Sequence, residues 1–254
     1  MKLKKLSWAS ILIETENISV LVDPLGGPIQ GQEKPLVAKI GEPLEPLISL
    51  ETINPPDIIL VTHVHPDHFD HQSVLQHFGE DVKIYVPSES CNYVRKLGFR
   101  NVEGALPNEE FRYKNLKFIA SYSVDGFGSP QVSWIIKDEQ CTVIHCGDTQ
   151  WHGYWWKMEN QHGPFDAACL PVNGPILQVS GLKEQSLLPA CLTPEEAVEA
   201  AKILGAKLIP IHYATFHNPP YYCESENIEE RISKQTKLRG IDVTFLKANE
   251  QIFI

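Results

Sequence analysis

Thr62-His63-Val64-His65-Pro66-Asp67-His68 follows the apolar run Ile58-Ile59-Leu60-Val61, itself opened by Asp57. A run that is continuous rather than alternating predicts a strand buried on both faces. If the extended backbone carries on past Thr62, His63 and His65 project to the same side and can grip one metal ion. Pro66 favours leaving that geometry in a rigid turn, which frees Asp67 and His68 for an adjacent ion. Imidazole nitrogen and carboxylate oxygen suit zinc, manganese or iron, so ligand type alone does not choose among them.

Two distant segments repeat the arrangement of an apolar strand that delivers a donor. Cys141-Thr142-Val143-Ile144 leads into His145-Cys146-Gly147-Asp148-Thr149, and Leu208-Ile209-Pro210-Ile211 delivers His212. Pro210 cannot donate a ladder hydrogen bond, which suggests an edge or a strand end. Donors just beyond strands are held by fixed backbone and can be aimed at one cleft.

The rest of the chain interleaves strands and helices. Strands are predicted from Leu6 onward, over Ile11–Ile13, Ile18–Val22, Asp57–Thr62, Val82–Val86, Leu116–Ala120, Val132–Ile136, Phe165–Leu170, Ile241–Leu246 and Gln251–Ile254. A loop punctuated by Gly26, Gly27, Pro28 and Gly31 follows Asp23-Pro24. Helices are expected over Asp67–Phe78, Glu89–Leu97, Thr193–Leu204 and Glu226–Leu238. The third is the clearest: Thr193 suits the N-cap, Pro194 the first helical position, Glu196 a capping box and Gly205 a left-handed stop. Two layers of mixed sheet covered by helices explain this order better than an all-β sandwich.

With 254 residues and 43% hydrophobic side chains, the chain can bury a large core, and a single domain over residues 1–254 is expected. A net charge of −10 disfavours broad nucleic-acid or anionic-membrane binding. No apolar stretch approaches the length that crosses a bilayer. Six irregularly spaced cysteines suggest no disulfide scaffold, and with no signal peptide at the N-terminus the expected compartment is the reducing cytoplasm.

His63-Val64-His65-Pro66-Asp67-His68 resembles the HxHxDH signature of the metallo-β-lactamase superfamily. Leu6–Glu14 with Val22-Asp23-Pro24 resembles the opening strands of its L-ascorbate-6-phosphate lactonase-like branch. Gly147-Asp148-Thr149 resembles the family's GDT segment, and Thr193–Ala197 through Pro210-Ile211-His212-Tyr213 its closing helix, strand and metal histidine. The resemblance implies an α/β fold, a four-layer αββα sandwich, and two divalent metal ions, zinc or manganese. It assigns His63 and His65 to the first ion, Asp67, His68 and His212 to the second, and Asp148 to a bridge between them.

One family ligand is missing. A third first-metal histidine is expected between the HxHxDH and GDT segments, yet no histidine occurs between His77 and His145. Ser121 or Ser123 falls near the usual position, and neutral serine is a poor substitute for imidazole. Asp125, His152 or water are the candidates to fill the gap, and without them the first position is weak or unoccupied. His152 and His217 are also candidates to line the cleft. Asp23 is expected to fix the loop beside the metals rather than to bind them. The aromatic run Gln150–Trp156 and the poorly patterned region Asn173–Pro189 are candidate cleft walls or packing elements.

The function these residues imply is hydrolysis with metal-activated water. Asp67 and Asp148 are the candidate catalytic residues, and the substrate is expected to be a carboxylic ester or lactone in a small metabolite, phosphorylated or not. A phosphodiesterase and a noncatalytic metal-stabilised binding protein are the alternatives. Homo-oligomerisation stays open.

Overall fold

The computed structural model describes residues 1–26, 40–178 and 184–254. Gly27, Pro28 and Gly31 of the expected loop, and part of the Asn173–Pro189 region, lie outside the described residues.

Two mixed sheets form the centre. The first runs β15 (Gln251–Phe253), β1 (Lys2–Lys5), β2 (Ile11–Glu14), β3 (Ser19–Val22), β4 (Ile58–Leu60), β5 (Ile84–Pro87), β6 (Val102–Ala105). Pairing is antiparallel from β15 to β3 and parallel from β3 to β6. The second runs β13 (Lys207–Ile211), β11 (Ala167–Pro171), β10 (Thr142–His145), β9 (Val132–Lys137), β8 (Leu116–Tyr122), β7 (Glu110–Tyr113). Here β13, β11 and β10 are parallel and the others antiparallel. A short ribbon pairs β12 (Ile176–Leu177) with β14 (Tyr222–Cys223).

The continuous apolar strands are explained by burial on both faces. Ile58 and Leu60 point between the sheets, where they meet Phe118, Trp134 and Ile136 of the other sheet. Ile59 and Val61 point outward beneath α1 (His71–Phe78) and α2 (Cys91–Lys96), with Val74 and Val94. The outer face of the second sheet is covered in the same way. Ile135, Ile144 and Leu208 pack under α3 (Trp155–His162), α4 (Pro194–Leu204) and α5 (Ile228–Arg239). The layers are therefore helix, sheet, sheet, helix, as the sequence implied. Each fully buried Ile or Leu contributes roughly 1.5–3 kcal/mol of transfer free energy to this stack.

Several elements differ from expectation for identifiable reasons. The first strand is Lys2–Lys5, not the stretch from Leu6. Residues 6–10 make a tight turn in which the Leu6 N–H donates to the Ser10 carbonyl at 2.9 Å and Trp8 takes a left-handed φ of 58°. The helix expected from Asp67 begins at His71, where the Asp70 side chain accepts from the Ser73 N–H at 3.1 Å. The residues before it form a separate turn, with the His68 N–H donating to the His65 carbonyl at 3.0 Å. Ile241–Leu246 makes only an isolated bridge, Leu208 to Val243. Pro210 lacks the N–H that would extend that pairing, while β13 sits at the sheet edge as foreseen. The sequence reading missed β6, β7, the short β12–β14 ribbon and α3. In β7 exposed and half-buried residues alternate at an edge, and α3 buries only Trp155 and Met158.

Helix α4 carries every expected signal. The Thr193 side chain accepts from the Glu196 N–H, Glu196 returns to the Thr193 N–H at 2.8 Å, and Gly205 adopts φ 66°. Thr193→Ala is expected to lower the unfolding free energy by about 1 kcal/mol, read from the denaturant midpoint, with metal content unchanged.

Candidate metal centre

The donors gather where strand ends of both sheets meet. Past β4, the Val61 carbonyl accepts from the indole N–H of Trp134 at 2.9 Å and the Thr62 carbonyl accepts from the Val132 N–H at 3.0 Å. These bonds tie the histidine segment of one sheet to the other. At the end of β3, Asp23 is completely buried with φ 47°. Its Oδ1 accepts from the Thr62 N–H at 2.7 Å, and Oδ2 accepts from the Thr62 hydroxyl at 2.7 Å. The same Oδ2 meets His68 Nδ1 at 2.8 Å, which leaves His68 Nε2 facing the centre. Gly147 is required opposite: at φ 62°, a Cβ there would lie 2.6 Å from the Thr62 hydroxyl.

Two groups of side chains converge. Donor atoms of His63, His65, Asp125 and Asp148 lie within 4.8 Å of one another, as do those of Asp67, His68 and His212. Cys191 joins Asp148 and His212 in a third such group. Asp125 thus stands with His63 and His65, where the sequence lacked a histidine. Its Oδ2 accepts from the Phe127 and Ser129 N–H groups at 2.7 and 2.8 Å, and its Oδ1 points toward His65 Nδ1 at 3.8 Å. Ser123 donates to the Cys146 carbonyl at 3.2 Å, whereas the Ser121 hydroxyl is fully buried without a hydrogen-bond partner.

The fit to metal ions shows in what these atoms lack. His63 Nε2, His68 Nε2, His212 Nε2, Asp125 Oδ1 and Asp148 Oδ1 are all buried without a hydrogen-bond partner. Native interiors rarely leave polar atoms so. Five on facing side chains of metal-binding types form a donor set that fits cations.

Charge is distributed unevenly across the centre. Burial alone would favour neutral groups, but Asp67 and Asp23 beside it hold the His68 imidazolium up to about 9. Burial likewise opposes the Asp67 carboxylate, yet His68 and His212 keep it well below the usual carboxylate range. For Asp148, burial and then the Asp125 and Asp67 charges prevail over the pull of His68, raising it to about 8. Burial depresses His63 strongly and His212 to about 4, so both offer neutral imidazoles. Protons on His68 and Asp148 occupy the electrostatic role that cations would fill.

Several supporting residues escaped the sequence reading. Ser129 meets His65 Nε2 at 2.8 Å, the Trp8 indole donates to Asp67 Oδ2 at 3.2 Å, and Asn173 Oδ1 meets His212 Nδ1 at 3.1 Å. Asn173 follows a strand, the one signal that could have found it. Other histidines lie apart from the donor groups. His152 is buried against Trp155 with ring centroids 4.1 Å apart, and His217 is exposed. His145 meets the Ala9 carbonyl at 2.8 Å as a satisfied core residue.

A cleft of about 340 Å³ opens onto the centre, with His65, Asp67, Asp148 and His212 at its base. Pro175 and Leu177 line it, so the described part of the Asn173–Pro189 region does form a wall. Among the described cleft residues there is no lysine or arginine. No described helix is long and apolar enough to cross a membrane.

Comparisons with known proteins bear on the fold and the family. A UPF0173 metal-dependent hydrolase from Thermococcus kodakarensis is 26% identical over 260 residues, covering 99% of each chain. The solved structure of Igni18, a metallo hydrolase from Ignicoccus hospitalis, superposes with a TM-score of 0.73 at 19% identity, covering 99% of this chain and 97% of that one. An isothiocyanate hydrolase from Delia radicum gut bacteria gives a TM-score of 0.77 at 18% identity, covering 100% and 99%. The family profile described as "Beta-lactamase superfamily domain" matches residues 19–213. A match over that much of the chain decides the matter: the protein belongs to the β-lactamase superfamily, as a metal-dependent hydrolase with the metallo-β-lactamase fold.

Proposed function

We propose that the centre holds two divalent ions and hydrolyses a small carboxylic ester or lactone in the reducing cytoplasm. His63, His65 and Asp125 would hold the first ion, Asp67, His68 and His212 the second, with Asp148 between them. The observation that carries this reading is the set of five unpartnered buried donors. Such ions, zinc or manganese, would supply a water of lowered pKa and polarise the substrate's carbonyl.

The chain's own groups do the positioning. Trp8 pins one Asp67 oxygen, Asp23 turns His68, Asn173 turns His212, and the two backbone donors turn Asp125. Asp148, grouped with His63 and His65 on one side and with His212 on the other, can accept a hydrogen bond from the reacting water and orient it. Phe127 and Leu177 give the cleft an apolar wall that suits an uncharged acyl group. An isothiocyanate, the substrate named for one structural neighbour, is likewise small, uncharged and electrophilic at carbon. The lactonase-like assignment itself is supported by the residue resemblance. A phosphodiester is the second reading, and the lack of a cation among the described cleft residues favours the ester. Because both sheets contribute donors, neither half of the chain could work alone, which supports one hydrolase domain over residues 1–254. All six cysteines are free, in keeping with a reducing compartment.

A panel of lactones, carboxylic esters, isothiocyanates and phosphodiesters tests the substrate class. Turnover of lactones or esters is expected to vanish on chelation and return with zinc or manganese. Faster phosphodiester cleavage would reverse the choice of substrate. His68→Ala should lower kcat/KM by on the order of 100-fold or more, whereas unchanged turnover would reject the second position. Asp125→Ala should cost one bound ion per chain by elemental analysis, with the far-ultraviolet spectrum retained. Asp23→Ala strands the Thr62 N–H and His68 in the core and should destabilise the metal-free protein by about 3 kcal/mol or more.

The metal-free protein should also lose stability between pH 6.5 and 8. His68 is raised from 6.5 to about 9, so its contribution is complete below 6.5 and fades as pH climbs. Asp148 is raised from 3.8 to about 8, so the folded state holds a proton the unfolded chain has lost, and rising pH again disfavours folding. Metal ions replace those protons, so the gain in melting temperature on loading should widen across this window. A gain that narrows would contradict the assignment.

A further inference from the structure

We infer that Cys191 is a thiolate donor beside the second metal position, joining His212 and Asp148 in a set that selects zinc over manganese. The inference rests on the two-ion reading above. The Cys191 sulfur, an Asp148 oxygen and a His212 nitrogen all lie within 4.8 Å of one another. His212 is 2% exposed with an unpartnered Nε2, so the thiol does not stand alone.

The placement of Cys191 differs from that of the other buried cysteines. Cys91, Cys141, Cys146 and Cys169 sit inside the apolar core clusters, where a reduced thiol behaves as a small hydrophobe. Cys191 is 4% exposed, belongs to none of those clusters, and borders the cleft. Its segment is clamped to the metal-bearing loops. The Leu192 N–H donates to the Thr149 carbonyl at 3.0 Å, and the Gln150 side chain donates to the Pro189 carbonyl at 3.0 Å. On the other side Gly126 lets the chain next to Asp125 approach so closely that a Cβ there would stand 2.5 Å from the Ala190 carbonyl oxygen. A side chain held so firmly beside two unpartnered donors is positioned for coordination.

On binding, the Sγ–H bond breaks, its proton leaves to solvent, and a sulfur lone pair forms the bond to the ion. Thiolate sulfur favours zinc, whereas manganese prefers oxygen donors. The carboxylates of Asp125, Asp148 and Asp67 leave the metal choice open, and one sulfur decides it.

X-ray absorption at the zinc edge of the zinc-loaded, full-length protein provides the test. A sulfur scatterer at about 2.3 Å is expected beside the nitrogen and oxygen shell at about 2.0 Å. C191S should lose the sulfur shell, keep the lighter one, and bind zinc on the order of tenfold more weakly relative to manganese. Bound zinc with only nitrogen and oxygen neighbours in the unaltered protein would overturn the inference and leave the two-ion reading standing. A sulfur shell that persists in C191S would overturn it by assigning the bond to another cysteine. Failure of the unaltered protein to retain zinc would overturn both. The unaltered protein's spectrum decides the matter even if C191S fails to fold.

Discussion

The buried carboxylate of Asp23 organises this molecule. A charge removed from water must be met by donors, and Asp23 is met by three: the Thr62 N–H, the Thr62 hydroxyl and the His68 ring. Those bonds join the end of β3 to the end of its parallel neighbour β4 and start the histidine segment at a fixed height above the sheet. They also decide which nitrogen of His68 is free. A ligand histidine whose other nitrogen is engaged has one orientation available, and the rest of the centre is built against it. Gly147 extends the same constraint to the second sheet, because only a residue without a Cβ can lie against Thr62 there.

The architecture follows from where parallel strands end. β4 in one sheet and β10 and β13 in the other all run toward the same edge of the sandwich, and each releases its donors there. Hydrogen bonds from Trp134 and Val132 to the Val61 and Thr62 carbonyls hold the two edges in register. The apolar core between the sheets fixes their spacing. The polar atoms at the rim are then left facing each other without partners, an arrangement stable only if something positive lies among them.

Much of this was legible in the sequence because the chemistry is locally dense. Four donors within His63–His68 sit behind a run of four apolar residues, and Asp148 and His212 each end a similar run. Helix α4 was readable to the residue because its cap, proline and glycine act within one turn of each end. Asp125 could be named only as one of several candidates, since its role depends on a turn that the Phe127 and Ser129 amides create in three dimensions. Ser129 and Trp8 carry no pattern at all, and Asn173 only its place after a strand: a serine, a tryptophan and an asparagine become orienting groups only through neighbours far along the chain. The Ile241–Leu246 segment misled for the opposite reason. Its alternation is that of a strand, but a proline in the potential partner removes the donor that would extend the pairing.

Residues 68 and 212, whose rings meet at this rim, are 144 positions apart in the chain. Ions shared between them would act as a tether that closes a very long loop, reducing the freedom of the unfolded chain as a disulfide does, but reversibly and without any oxidant. The strength of that tether would follow the free concentration of the ion in its surroundings. Durability against proteolysis and the capacity to turn over substrate would then be governed by the same external variable, and scarcity of metal would mark the protein for removal at the moment it became idle.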